Sequence, residues 1–179
     1  ENCADFFPDK QGHIKKRVVL KVSDFRSSLT QGKFLAKKGI WVSEYRIESG
    51  LNCGGHAFAT DGYLMGPILE EFKVQKKELV SSLFLIYNET LAKLNKDTLE
   101  SMPFVDITVQ GGIGTANENR FLIDHYQVKR TGWATPFLLV PDVTLLDDET
   151  RMVLLNAEEK DLYLSPVSPL GVPFNIASY

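Results

Sequence analysis

The sequence predicts an α/β fold of parallel β/α units. Short β-branched segments alternate four times with helical segments, and glycine-bearing loops closely follow three of the predicted strands. The 179 residues, 44% of them hydrophobic, fit a single domain over residues 1–179 with a core of useful size. Four β/α units make either half of an eight-stranded barrel or a small open sheet.

The first two strands are predicted at residues 17–22 and 40–47, which are short segments rich in β-branched side chains. Ser23 or Asp24 can cap the helix between them, because short polar side chains accept hydrogen bonds from the first helical amides. That helix should end near Gly39, and a glycine in its interior lowers its helix propensity.

Apolar residues recur at helical spacing over 67–88, with Pro67 in a position that a first helical turn tolerates. A second helical piece, 90–100, is predicted after Asn88. The third strand is predicted at 105–109.

The last β/α units should contain a helix over 117–127, a strand at 129–134 and a helix at 147–157. From Leu164 onward the chain should be irregular, because three prolines interrupt it. These prolines are Pro166, Pro169 and Pro173.

Composition excludes several classes of protein. The net charge of −3 and the isoelectric point of about 5.7 give no electrostatic basis for binding nucleic acid or an anionic membrane. No apolar run is long enough to span a bilayer, and no signal peptide is visible. The two cysteines, Cys3 and Cys53, are expected to be reduced thiols in a cytoplasmic protein, and no CxxC pair predicts a metal site.

Two glycine-bearing strand ends are candidates for a phosphate site. Residues 111–114 (GGIG) and 132–137 (GWATPF) each follow a predicted strand. Glycine lets the backbone approach a ligand, and the amides of such a loop and of the next helix N-terminus can bind an anion. The alternative is that these glycines only form turns, or that Trp133 and Phe137 pack the second loop.

A third loop, residues 52–56 (NCGGH), places His56 among glycines after the second strand. Histidine changes charge near neutral pH, so His56 could act as a general base or donate a hydrogen bond. A structural or surface histidine is the alternative. Cys53 could also be a nucleophile with His56 as its base, although no third group to orient the base is evident.

The order of these motifs resembles the nitronate monooxygenase family, once called 2-nitropropane dioxygenases, and the related flavin-dependent enoyl reductases. Residues 48–56 resemble the family's histidine loop, 110–115 its Gly-Gly-Ile segment, 133–137 its last phosphate loop, and 168–173 its Ser-Gly-x-Pro tail. The resemblance covers about residues 17–175. It implies the C-terminal half of a TIM barrel, equivalent to strands five to eight.

The resemblance also implies a function, namely an FMN-dependent oxidoreductase acting on a small-molecule substrate. His56 would be the catalytic or substrate-contacting residue, and the flavin would be bound by two further groups of residues. Those beside the flavin ring would be Gly54 and Gly55, and those holding its phosphate would be Gly111, Gly112, Ile113, Ala134 and Thr135.

Two departures from the family pattern bear on these expectations. Ala134 stands where the family usually has glycine, and Ala57 and Phe58 follow the histidine without the usual small glycine. The first half of the barrel is also missing, and the chain begins with Glu1, so we expect a fragment. Its partner would be the N-terminal half-barrel or a second copy; the alternative function is a non-redox module that binds a phosphorylated ligand or another protein.

Overall fold

The computed structural model describes residues 4–48, 65–133, 140, 145–167 and 174–177. It confirms the predicted α/β class: four parallel strands form one sheet whose order follows the chain, β1-β2-β3-β4. A separate antiparallel pair, β5-β6, lies near the C-terminus. The strands are β1 Val18–Val22, β2 Val42–Ile47, β3 Asp106–Gln110, β4 Arg130–Gly132, β5 Leu162–Ser165 and β6 Phe174–Ala177, and the helices are α1 Phe25–Ala36, α2 Met65–Lys93, α3 Ala116–Tyr126 and α4 Asp148–Asn156.

Helix α1 begins and ends as the sequence predicts. The Asp24 side chain accepts a hydrogen bond of 2.6 Å from the Ser27 amide, which satisfies one of the unpaired donors of the first turn. Gly39 follows the helix with a φ of +72°, a conformation that other residues rarely adopt. The chain then turns back directly into β2.

Helix α2 is one continuous helix, so the predicted division after Asn88 is wrong. The Asn88 side chain does not end the helix. Its amide group instead donates to the Leu99 carbonyl at 2.8 Å and accepts from the Leu99 amide at 3.0 Å. These two hydrogen bonds attach the segment that leads to β3 to the helix. That segment, residues 94–105, is not helical.

Helices α1 and α2 pack against one face of the sheet. Tyr45 and Ile47 on β2 and Ile107 and Val109 on β3 alternate along their strands and point into this core. The long helix α2 contributes the largest set of buried side chains, and they repeat at helical spacing. They are Met65, Ile68, Leu69, Phe72, Leu79, Leu83, Tyr87 and Leu91.

The tail is not wholly irregular, and that prediction is wrong for two segments. Strands β5 and β6 pair antiparallel, with Ser165 opposite Phe174. Pro166 lies just outside the paired residues, where a missing amide donor removes no ladder bond, whereas Pro169 and Pro173 lie outside the described residues. Among the described helices, none combines the length and apolar character that crossing a bilayer requires.

Candidate functional site at the carboxyl edge of the sheet

The carboxyl ends of β3 and β4 lie side by side. Gln110 is in register with Gly132, and the Gly111 amide donates a hydrogen bond of 3.1 Å to the Gly132 carbonyl. Because β2 is parallel to β3 and adjacent to it, the chain after Ile47 leaves from this same edge. All three glycine-bearing loops therefore start at one edge, which is where ligands bind in parallel α/β sheets.

The structure places only some of the predicted site residues. Gly111, Gly112 and Ile113 are described. Gly54, Gly55 and His56, like Cys53, fall within residues 49–64 and lie outside the described residues. Ala134 and Thr135 also lie outside them, two and three residues beyond Gly132.

The turn after β3 requires glycine. Gly111 and Gly112 have φ values of +82° and +68°, in the left-handed region that side chains disfavour. The next side chain, Ile113, is buried in the core, so only its backbone can meet a ligand. The Gly111 amide is already bonded to Gly132, whereas the described residues contain no hydrogen-bond acceptor for the Gly112 and Ile113 amides.

The Glu118 carboxylate caps the N-terminus of α3. Glu118 Oε2 accepts hydrogen bonds of 2.8 Å from the amides of Gly114 and Thr115, while the Thr115 hydroxyl accepts one from the Glu118 amide. This is a capping box. The Gly114 and Thr115 amides hold the pKa of Glu118 below its usual range. The sequence analysis missed this anion, although Thr115 followed by Glu118 is its sequence signature.

These contacts define how far the turn fits the phosphate of a flavin. The Gly112 and Ile113 amides have no acceptor among the described residues, and the glycines allow an anion to approach the backbone closely. The Gly114 and Thr115 amides are satisfied by Glu118, whose negative charge repels a phosphate. The turn therefore leaves the amides of residues 112–113 available to an anion, whereas those at the α3 N-terminus are already occupied.

The sheet face opposite the helices is polar, which the sequence analysis did not predict. Side chains on this face come from alternate positions of each strand, in register across the sheet. They border a cavity of about 260 Å³ that reaches the carboxyl edge. Its lining residues are Glu44, Arg46, Thr108, Val109, Gln110, Arg130, Thr131 and Gly132.

Glu44 lies at the centre of this polar face. It is buried, and Oε1 accepts from the Thr108 hydroxyl at 2.8 Å and from Arg46 at 3.1 Å. Oε2 pairs with Arg130. Burial opposes ionisation, but Thr108, Arg46 and the charge of Arg130 outweigh it and hold the pKa of Glu44 below its usual range.

A second ion pair lies at the carboxyl edge itself. Lys21, near the end of β1, pairs with Glu48, which directly follows β2. Glu48 is buried, whereas Lys21 is half exposed. Glu48 is the last described residue before the segment that contains His56, so this ion pair lies where the predicted substrate loop begins.

The two other histidines of the chain, His13 and His125, have structural surroundings. His125 stacks on Phe121 at 4.9 Å between ring centroids, and its Nε2 lies 3.2 Å from the Lys73 ammonium. His13 lies beside Asp9 on the surface. Among the described residues no cluster of histidine, cysteine or acidic side chains could hold a metal ion.

No protein-family model matches this chain, and neither do any curated protein sequences or solved structures.

Proposed function

We propose that this chain is the C-terminal half of an FMN-dependent oxidoreductase barrel related to the nitronate monooxygenases. The observation that carries the proposal is the hydrogen bond from the Gly111 amide to the Gly132 carbonyl. It brings together the starts of the two loops that resemble the family's phosphate loops. In a (β/α)8 barrel, phosphate sites are commonly built from the loops after the seventh and eighth strands.

The sheet supports the barrel part of this proposal. Its four strands are parallel, and strands that are consecutive in sequence are neighbours in space, as they are in a (β/α)8 barrel. Strands β1 and β4 are edges, and edge strands expose unpaired backbone groups. The remaining half-barrel would pair with both edges and enclose the polar face around Glu44.

The polar face also sets a limit on what that barrel encloses. Barrel interiors are dominated by branched apolar side chains, whereas Glu44, Arg46 and Arg130 are charged. Closing the barrel would surround these charges and the cavity beside them. We therefore propose an interior that admits water or a polar ligand, with Glu44 fixing the orientation of both guanidinium groups.

The chain's own residues would have distinct roles in such an enzyme. FMN would supply hydride or electron transfer. The Gly112 and Ile113 amides would hold the phosphate, with Ala134 and Thr135 completing the site, and Gly54 and Gly55 would leave room beside the flavin ring. His56 would hold or accept a substrate proton at its imidazole. These roles for 54–56 and 134–135 rest on the resemblance.

The test is an absorption titration of the full-length protein with FMN and, in parallel, with riboflavin, which lacks the phosphate. We expect FMN to bind with a shifted visible spectrum that bleaches on reduction. We expect riboflavin to bind at least about tenfold more weakly, because a charge-assisted phosphate contact contributes about 1.5–3 kcal/mol. Failure of the full-length protein to bind FMN would overturn the proposal.

The second candidate is a non-redox module that binds a phosphorylated metabolite or another protein through the same loops. The Glu118 carboxylate at the α3 N-terminus favours this candidate. It already accepts hydrogen bonds from two amides that a flavin phosphate would otherwise accept from. Binding of inorganic phosphate or a sugar phosphate without any uptake of FMN would support this candidate. Replacing His56 with alanine should then leave that binding unchanged.

A further inference from the structure

A groove on the helical side of the molecule combines an apolar wall with three ammonium groups. It lies between α2 and the segment that leads into β3, and its volume is about 430 Å³. Since residues 102–105 directly precede β3, the groove lies beside the amino end of that strand, away from the glycine loops. It is lined by Lys73, Lys76, Lys77, Val80, Met102, Pro103, Phe104 and Val105.

The three lysines occupy one face of α2, at positions i, i+3 and i+4. In the described part of the chain, no carboxylate lies within ion-pair distance of Lys76 or Lys77. Lys73 is directed to the His125 ring instead. The groove therefore presents positive charge that the described residues do not neutralise by contact.

Lys76 differs from an ordinary surface lysine. Its side chain is half-buried, and its ammonium lies 5.8 Å from the centre of the Phe104 ring. Burial lowers the pKa of Lys76, and the charge of Asp106 partly opposes this. A cation with part of its hydration removed gains more from an anionic partner than a fully solvated one does.

The apolar wall of the groove is unusually open to solvent. Phe104 is 71% exposed and Met102 48% exposed, and the two flank Pro103. Exposed apolar side chains grouped beside a concave surface are typical of ligand-binding sites. The volume falls within the range of about 300–1,000 Å³ that holds small molecules.

We propose that this groove binds an amphipathic carboxylate, in which an aromatic or acyl body packs on Phe104 and Met102 and the carboxylate meets Lys76 and Lys77. The site is separate from the carboxyl edge and does not depend on flavin binding. Its position at the opposite end of β3 makes it a second ligand site on the same sheet.

The chain offers a matched control for this proposal. Lys38 lies over the ring of Phe34 at the same 5.8 Å, and Phe34 is 63% exposed. This pair reproduces the lysine–phenylalanine contact at the end of α1, outside the groove. Replacing Lys38 therefore removes a comparable charge and a comparable aromatic contact at a site where we expect no ligand.

The experiment is calorimetric titration of the full-length protein with 2-naphthoate, decanoate and the uncharged 2-naphthamide. We expect both carboxylates to bind. The amide should bind at least about tenfold more weakly, because it loses about one charge-assisted hydrogen bond. Lys76→Gln should weaken 2-naphthoate binding by about tenfold or more, Lys76→Arg should restore most of it, and Lys38→Gln should change nothing.

Three outcomes would overturn the proposal. They are equal binding of the amide and the carboxylate, equal losses in the Lys76→Gln and Lys38→Gln proteins, and the absence of binding of either carboxylate. Thermal melting of each variant would confirm that it is folded. Phe104→Ser serves as the second variant, because it changes the apolar wall without changing the charge. It should weaken the binding of both carboxylates.

Discussion

The Thr108 hydroxyl donates a hydrogen bond of 2.8 Å to Oε1 of Glu44, joining two buried side chains on neighbouring strands. Arg46 and Arg130 also bind this carboxylate, so Glu44 connects the side chains of the sheet's polar face. A buried charge that has lost its partners is costly, and a buried carboxylate that retains them fixes their geometry. Glu44 is therefore the residue on which the polar face depends.

Replacing Glu44 with glutamine should destabilise the protein by about 1–3 kcal/mol, because charge-assisted hydrogen bonds are lost and the two arginines keep no anion. Chemical denaturation would measure the loss. Glu89→Gln, at an exposed position of α2, should stay within about 0.5 kcal/mol of the parent. Equal effects of the two changes would show that Glu44 does not organise the polar face.

The same residue should give the protein a defined response to acid. Its pKa in the folded state lies below its ordinary value of 4.5, so the folded state favours the ionised form. The stabilisation is fully present above the unfolded pKa and is lost as the pH falls through the folded pKa. Unfolding of the parent and of Glu44→Gln, measured between pH 7 and pH 3, should show a smaller acid dependence in the variant.

Gly32 in α1 should not tolerate alanine, although alanine ordinarily stabilises a helix interior. A Cβ atom there would lie 2.5 Å from the Tyr45 hydroxyl and 2.8 Å from a methyl group of Leu83, and both side chains are buried. We expect a loss of about 1–3 kcal/mol from overpacking. In contrast, a Cβ at Gly66 in α2 meets only the Tyr126 hydroxyl, at 3.8 Å.

Thermal melting of Gly32→Ala and Gly66→Ala would test this difference. The Gly66 variant should lose less stability than the Gly32 variant, because its Cβ meets no buried side chain closely and only the ring of the following Pro67 opposes it. If both variants gained stability, α1 would not approach β2 and α2 as closely as these distances require.

Local patterns in the sequence were sufficient for most elements of the sheet. The alternation of Tyr45 and Ile47 with Glu44 and Arg46 places apolar and polar side chains on opposite faces of β2. That pattern could have predicted the polar face, because a strand buried on both sides would be apolar throughout. It could not have predicted that Thr108 and Arg130, which lie 64 and 86 residues away in sequence, would bind Glu44.

The errors have the same physical origin. Asn88 favours turns by its local propensity, but here its side chain finds partners in the distant Leu99 backbone, so α2 continues past it. The prolines of the tail suggested irregular structure, yet residues 162–165 pair with residues 174–177. In both cases contacts between distant residues outweighed a local preference.

The glycine turn after β3 allows a test of the proposed phosphate site. Gly112→Ala should cost about 1–2 kcal/mol of stability, since its φ of +68° is strained for any side chain. It should also weaken FMN binding more than it weakens riboflavin binding. Gly114→Ala is the control, because Gly114 has no positive φ and its Cβ would meet only Glu118 Oε2, at an ordinary 3.5 Å.

Flavin titrations of both variants at a temperature well below melting would separate affinity from stability. Selective loss of FMN binding in Gly112→Ala would support the phosphate site at residues 112–113. Equal losses for FMN and riboflavin would mean that the turn affects only folding.

Glu118 provides the sharpest test, because stability and phosphate affinity should change in opposite directions. Its carboxylate accepts from the Gly114 and Thr115 amides at 2.8 Å and caps α3. Glu118→Gln keeps a capping side chain of similar shape but removes the charge, so the helix should lose about 0.5–1 kcal/mol. The same change removes the repulsion that an anion at residues 112–113 experiences, and FMN should then bind more tightly.

Denaturation and FMN titration of Glu118→Gln, beside Glu89→Gln as an exposed control, would measure both effects. Tighter FMN binding with unchanged riboflavin binding would indicate that the phosphate lies beside this carboxylate, because only the phosphate senses the lost charge. Unchanged affinity for FMN in a less stable protein would mean that the α3 N-terminus is a structural cap remote from any phosphate. The phosphate site would then have to be sought away from the Gly111–Gly112 turn.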